Sequence, residues 1–174
     1  MKTAVLQYNI LDDLKQLTKF GLSVSVVFSS IAGYLLAADQ IDWKILVLLA
    51  VGGYCMVGAS NAFNQIIERG PDALMKRTMN RPIPAGRISV NVAMVIAVAL
   101  TLLGVIILYG INERTALFGS VSIFLYTSAY TPLKPITPLS VFVGAIPGAI
   151  PFMLGWVAAT GQFGIEPGML FMIQ

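Results

Sequence analysis

Long apolar runs separated by short polar connectors set the pattern of this chain. Five of the runs, residues 20–38, 45–67, 88–111, 115–130 and 139–160, approach or reach the roughly 20 helical residues needed to cross a hydrocarbon core of about 30 Å. A sixth begins near Pro167 and reaches Gln174 after barely two turns. Lipid offers no partner to a backbone N–H or C=O, so spanning segments close their hydrogen bonds internally. The pattern therefore predicts an all-α polytopic transmembrane bundle of about five spanning helices plus the start of a sixth. A helix cut short in lipid is unfavourable, which makes residues 1–174 read as one membrane domain, the amino-terminal part of a longer protein.

Composition strengthens this picture: 57% of the 174 residues are hydrophobic and 11% charged, and the mean hydropathy is +0.82. Charge then orients the helices. With five spans, Lys2, Lys15, Lys19, Arg69, Lys76, Arg77, Arg81, Arg87 and Lys134 fall on one side and only Lys44 and Arg114 on the other. The positive-inside rule puts the first set, with the amino terminus, in the cytoplasm. The net charge of +3 thus reports topology rather than nucleic-acid binding. Histidine is absent and Cys55 is the single cysteine, which removes the commonest heme or metal ligand and any intrachain disulfide. Asp12, Asp13, Lys15 and Lys19 precede the first apolar run, so no cleavable signal or transit peptide is expected and the bacterial inner membrane is favoured.

The stretch "NAFNQIIERGPDALMKRTMNRP", residues 61–82, carries the chemistry. Asn64, Glu68 and Asp72 are spaced by four and share one helical face with Asn61. Such an oxygen cluster suits magnesium, which binds through one or two carboxylates plus substrate phosphates. Pro71 conflicts with the carbonyl of Ile67, so the helix should kink or end there and Asp72 should reach the site from a new turn. Lys76, Arg77 and Arg81 follow, with Arg87 beyond, and cations beside metal-holding carboxylates suit a diphosphate. Topology alone would also account for these cations. Asn61, Asn64 and Gln65 are harder to explain that way, because hydrocarbon penalises amides that neither pair nor face a cavity.

A second cluster lies in "LYTSAYTPLKPITP": Tyr126 and Tyr130 are one turn apart, Lys134 follows, and Pro132 and Pro135 should end regular helix. It reads equally as part of a site or as an aromatic belt with a snorkelling lysine. Gly144, Gly148 and Gly155 with Pro147 and Pro151 point to close helix packing in the last long run.

The segment from Asn64 to Ser89 resembles the first aspartate-rich region of the UbiA-type intramembrane aromatic prenyltransferase superfamily, Asn, three residues, Asp, three residues, Asp. "MKRTMNRPIPAGRIS" and "YTPLKPITPLSVFVGAIPGAIPFMLGWVAATG" resemble its heme O-forming arm, and Glu68 stands where bacterial relatives usually carry Asp. The resemblance implies about nine spanning helices around a cavity, with a second aspartate-rich motif beyond these residues. It implies farnesyl transfer from farnesyl diphosphate to a vinyl group of protoheme IX. It further implies Mg2+ on Asn64, Glu68 and Asp72 as a partial site, with Lys76, Arg77, Arg81, Tyr130 and Lys134 on the diphosphate. Heme A synthase or an oxidase-assembly protein is a possible partner by the same resemblance. Two other readings stand beside it: a prenyltransferase for an aromatic quinone precursor, and a non-catalytic membrane transporter or assembly subunit whose polar helix end lines a pathway.

Overall fold

The computed structural model describes residues 9–174; Lys2, counted above for topology, lies outside them. The described residues form α1 (Ile10–Leu17), α2 (Phe20–Ala37), α3 (Trp43–Ile67), α4 (Arg69–Leu74), α5 (Val90–Tyr109), α6 (Glu113–Phe124), a π-helical turn (Leu125–Tyr130), α7 (Thr131–Leu133), α8 (Ser140–Thr160) and α9 (Ile165–Ile173). Local chemistry sets the starts. The Asp42 carboxylate accepts the Lys44 and Ile45 amides, the Ser89 hydroxyl accepts the Val92 amide, and the Asn112 side chain accepts both N–H and hydroxyl of Thr115. Each fills donors that a helix start leaves unpaired.

Four helices, α2, α3, α5 and α8, are long and apolar enough to cross a membrane. The fifth expected span, residues 115–130, is not one straight α-helix. Its twelve-residue α6 passes into the π turn and then α7. The reason is Pro132, which cannot donate a backbone hydrogen bond. Just before it, the Thr131 amide and hydroxyl both bond the Tyr126 carbonyl, the wider i to i−5 closure. The expected sixth stretch is α9, which starts two residues before Pro167 and leaves that proline in its first turn.

Helix α3 packs along α5 and α2 along α8, with α6 bridging α5 and α8. The arrangement turns the large apolar side chains outward. Phe28, Val95, Ile106 and Phe142 are exposed, while Ser23, Ser30, Ala59, Asn61, Ala62, Ala93 and Ala97 are buried. Lipid is as apolar as leucine, so helices associate through close packing of small residues rather than by hiding large ones. The tightest crossing is α2 on α8: a Cβ at Gly155 would sit 1.9 Å from the Ser30 carbonyl oxygen, and one at Gly33 would sit 2.0 Å from that of Phe152. Glycine at 155 therefore serves packing, whereas Gly148 meets nothing within 4 Å. Gly155→Ala is expected to destabilise the protein by about 1–3 kcal/mol, the usual cost of overpacking, and Gly148→Ala to leave it near wild type; thermal unfolding of both in detergent checks this contrast.

Candidate functional site

The site is built from the far end of α1 upward. Helix α1 ends at Leu17, and the chain reverses into α2 through Lys19, whose φ of 48° is left-handed. A non-glycine residue holds that conformation only when its surroundings fix it. Here two buried amides of α3 do so. Gln65 Nε2 donates to the carbonyls of Gln16 (2.8 Å) and Leu17 (3.0 Å), and Asn61 Nδ2 donates to the Thr18 carbonyl and the Ser23 hydroxyl, both at 3.3 Å. Ser23 Oγ also donates to the Thr18 carbonyl at 2.7 Å. These are carbonyls that the end of a helix leaves without intrahelical donors. Satisfying them explains why α3 carries amides at membrane depth, and it delivers Lys19 Nζ to Asn64 Oδ1 at 3.1 Å.

One turn further along, α3 stops at Ile67 and Glu68 caps both it and α4. The expected break at Pro71 is met by a new short helix. Pro71 lies in its first turn, where a missing N–H costs little, and the Asp72 amide bonds the Glu68 carbonyl at 2.8 Å. Asp72 is buried, and its Oδ2 takes Arg81 Nη1 at 2.5 Å, while Thr78 Oγ1 holds its carbonyl at 2.9 Å. Glu68 Oε1 takes Lys134 Nζ at 2.9 Å, reaching across from the segment after α7. Each of the three oxygen-bearing residues thus holds one cationic nitrogen: Lys19 on Asn64, Lys134 on Glu68, Arg81 on Asp72.

Glu68, Asp72, Arg77, Arg81 and Lys134, with Thr78, Thr131 and three prolines among their neighbours, wall a cleft of about 400 Å³. Arg77 is exposed on its rim. Lys76, next to it, is exposed and stands off that wall. Tyr130 is also off the wall: it stacks on Tyr126 with ring centroids 5.0 Å apart and packs against Gly144, where a Cβ would lie 2.6 Å from the ring. Of the eight candidates, then, the structure brings Glu68, Asp72, Arg77, Arg81 and Lys134 to one cleft. Asn64 lies one turn behind, joined to them by Lys19 electrostatics. Lys19 is a candidate that spacing missed; its sequence signal is a lysine directly abutting an apolar run.

The donor set fits a magnesium ion shared with a phosphate group. Among the described residues no three His, Cys, Asp or Glu side chains converge, so protein carboxylates alone do not complete a cage. Magnesium does not require one, since it commonly takes one or two carboxylates and completes its shell with substrate phosphates and water. Asn64 Nδ2 is buried with no partner among the described residues, a donor left over for an anionic oxygen.

The decisive observation is a match of residues 26–174 to the UbiA prenyltransferase family. This chain belongs to that family. The UbiA-family chain is 69% identical over 166 residues to the protoheme IX farnesyltransferase of Christiangramia forsetii, covering 95% of this chain and 55% of that protein. It is 42% identical over 156 residues to the human mitochondrial protoheme IX farnesyltransferase, covering 89% and 35%. The chain spans about half the length of the bacterial relatives it matches. Two solved structures share the UbiA fold with it. One is digeranylgeranylglyceryl phosphate synthase, with a TM-score of 0.84 at 21% identity over 93% of this chain and 57% of that one. The other is an Archaeoglobus fulgidus UbiA homolog bound to GPP and Mg2+, at 0.78 and 17% over 92% and 59%. The multi-pass helical membrane architecture expected from hydropathy is that of the family.

Burial pushes the Lys19 ammonium down from its ordinary 10.5 to about 8, with Arg81 and Lys134 repelling it and Glu68 and Asp72 partly opposing that. Between about pH 8 and 10.5 the unfolded chain keeps a proton that the folded chain has shed, so this group adds stability as pH rises. A smaller rise in thermal stability between pH 7.5 and 9.5 is the expected outcome for Lys19→Met relative to wild type in a detergent melt.

Proposed function

We propose that this chain supplies the diphosphate-binding half of a protoheme IX farnesyltransferase, which joins the farnesyl group of farnesyl diphosphate to a vinyl group of protoheme IX. Water adds a hydroxyl in the same conversion, giving the hydroxyethylfarnesyl side chain of heme O and releasing diphosphate. The observation that carries the reading is the pairing of three oxygen-bearing residues, each with its own cation: Glu68 and Asp72 on the wall of one cleft and Asn64 one turn behind it. The names of relatives at up to 69% identity support the choice of heme over a quinone precursor as acceptor.

In this mechanism Asn64, Glu68 and Asp72 hold the cation side of the metal–diphosphate complex. Magnesium, when bound, neutralises charge on the departing diphosphate. Its presence with GPP in the Archaeoglobus homolog supports the same assignment here. Arg81, Lys134 and Lys19 then trade carboxylate or amide partners for diphosphate oxygens, keeping those charges paired throughout binding, and Arg77 reaches the same oxygens from the rim. The unpartnered Asn64 Nδ2 gains an acceptor in the same step. Lys76 serves chiefly as a topological charge, and Tyr130 acts through Tyr126 and Gly144 rather than on the diphosphate itself. The apolar interior keeps water from the allylic cation.

The cleft end, with the amino terminus, faces the cytoplasm of a bacterial inner membrane, because Arg69 to Arg87 and Lys134 cluster there. A heme A synthase is the natural neighbour to take the product. In the whole protein, Glu68→Gln and Asp72→Asn should each lower heme O formation a hundredfold or more, about 2.7 kcal/mol of barrier or greater. Assays of membranes supplied with farnesyl diphosphate, heme B and magnesium decide the point. Unchanged turnover in both variants would favour the non-catalytic reading, and prenylation of a quinone precursor without heme O would move the acceptor.

A further inference from the structure

Arg87 stands apart from the cleft. It lies on the wall of a separate cavity of about 500 Å³ between α1 and the start of α5, beside Asp13, Leu14, Ile88 and Val92, and that cavity shares no lining residue with the cleft. A tight turn brings it there. After Arg81 the Ala85 amide bonds the Arg81 carbonyl at 3.0 Å, Gly86 takes a φ of 73°, and the amides of Arg87 and Ile88 both bond the Pro82 carbonyl, at 2.9 and 3.1 Å. Ile83 and Ile88 then pack in one cluster with Leu17 of α1 and Ala62 and Ile66 of α3. This leaves the guanidinium between the last turn of α1 and the segment that leads into Arg81.

Its donors reach both. Arg87 Nε donates to Asp13 Oδ1 at 2.6 Å, and Nη2 donates to Gln16 Oε1 at 3.1 Å and to the Asn80 carbonyl at 2.9 Å. Both side chains of the Asp13–Arg87 pair are largely buried. A planar fork fixes several acceptors in one geometry, which an ammonium on a flexible stem does not. Two of these acceptors adjoin cations of the site. The Asn80 carbonyl belongs to the peptide bond that enters Arg81, and the N–H of that peptide bonds the Thr78 carbonyl at 2.9 Å. With both edges of the peptide held, the Arg81 side chain leaves toward Asp72. Gln16 precedes Lys19 by one helical turn: its side chain takes Arg87, while its carbonyl takes Gln65 Nε2 at 2.8 Å and the Lys19 amide at 3.3 Å. The turn that carries Lys19 is thus gripped by α3 on one side and by Arg87 on the other.

We propose that Arg87 is a positioning residue for diphosphate binding: it ties α1 to the segment before α5, so that Lys19 and Arg81 present their charges to one ligand at a fixed separation. This rests on the diphosphate reading above and adds what aligns two of its cations. Lys19 and Arg81 come from distant parts of the chain and repel one another. Without a tie the two elements that carry them would relax apart until an anion drew them back, and a ligand that must organise its own site binds more weakly.

The test uses the whole protein and two measurements: calorimetric titration with magnesium diphosphate, and steady-state KM for farnesyl diphosphate and for heme B. Arg87→Lys keeps the charge and loses the fork. Its Kd for magnesium diphosphate and its KM for farnesyl diphosphate are each expected to rise about fivefold or more, with KM for heme B within about twofold of wild type. Gln16→Leu keeps the Asp13 pair and removes one acceptor; it is expected to move the same two constants in the same direction by a smaller factor, and it carries the test if Arg87→Lys fails to fold. In a Lys19→Met background the factor produced by either variant should shrink, because one of the aligned cations is already gone. A residue that merely braces the fold would lower kcat and the number of binding sites per chain and leave Kd and KM alone; that result, or the same factor with and without Lys19, overturns the inference. Wild type that binds magnesium diphosphate but prenylates no heme overturns the enzyme reading and leaves the titration to decide this inference. Wild type that does not bind it overturns both.

Discussion

The grip of α3 on the spent end of α1 is the interaction on which the site depends. Gln65 and Asn61 place their amide nitrogens on three successive backbone carbonyls, those of Gln16, Leu17 and Thr18. A helix terminus otherwise takes such bonds from water or from its own continuation; here the continuation supplies the Lys19 amide to Gln16 and the Ser23 hydroxyl to Thr18, and α3 supplies the rest. With the turn so fixed, Lys19 adopts a left-handed backbone and its ammonium enters the space beside Asn64. Loss of the Gln65 amide would leave the Leu17 carbonyl unsatisfied, a cost of about 1–3 kcal/mol, and would loosen the turn that carries Lys19 to Asn64, whereas the Thr18 carbonyl keeps the Ser23 hydroxyl if Asn61 is lost.

The three cation pairs above that turn have a common character. Arg81 with Asp72 is largely buried, while Lys134 is about half exposed as it meets Glu68. Buried pairs rarely contribute much net stability, but breaking one without replacement is costly. Under the proposed function, with metal plus diphosphate as the ligand, holding carboxylates and cations against one another would serve the site well. An incoming cation would replace the basic side chains, and the incoming anion would take up the basic side chains so displaced. Exchange of partners avoids the stage at which a bare charge would face hydrocarbon.

Much of this was legible in the sequence, and the exceptions have physical causes. Apolar runs located α2, α3, α5 and α8 to within a few residues, because a spanning helix leaves its length in the pattern. The break between Glu68 and Asp72 followed from Pro71, whose steric effect is local. The π turn did not follow from Pro132: proline announces that a donor is missing, not whether the chain ends, kinks or widens its closure. Spacing placed Asn64, Glu68 and Asp72 on one face, and of these Glu68 and Asp72 line the cleft while Asn64 lies one turn behind. It could not distinguish Arg77 from Lys76, since after Pro71 the direction of each side chain depends on turns that no periodicity describes. Lys19 was invisible as a site residue because the bonds that aim it come from residues more than forty positions away.

The π-helical turn between Leu125 and Tyr130 sets a compass bearing. Closing one turn with an extra residue rotates everything after it by about 100° relative to an uninterrupted α-helix. The azimuth at which Lys134 leaves the bundle, and so its meeting with Glu68, is fixed by a surplus residue in the backbone count rather than by the lysine's own contacts. Two chains with identical side chains at the cleft would differ in whether those side chains meet, according to the number of residues separating α6 from Pro132.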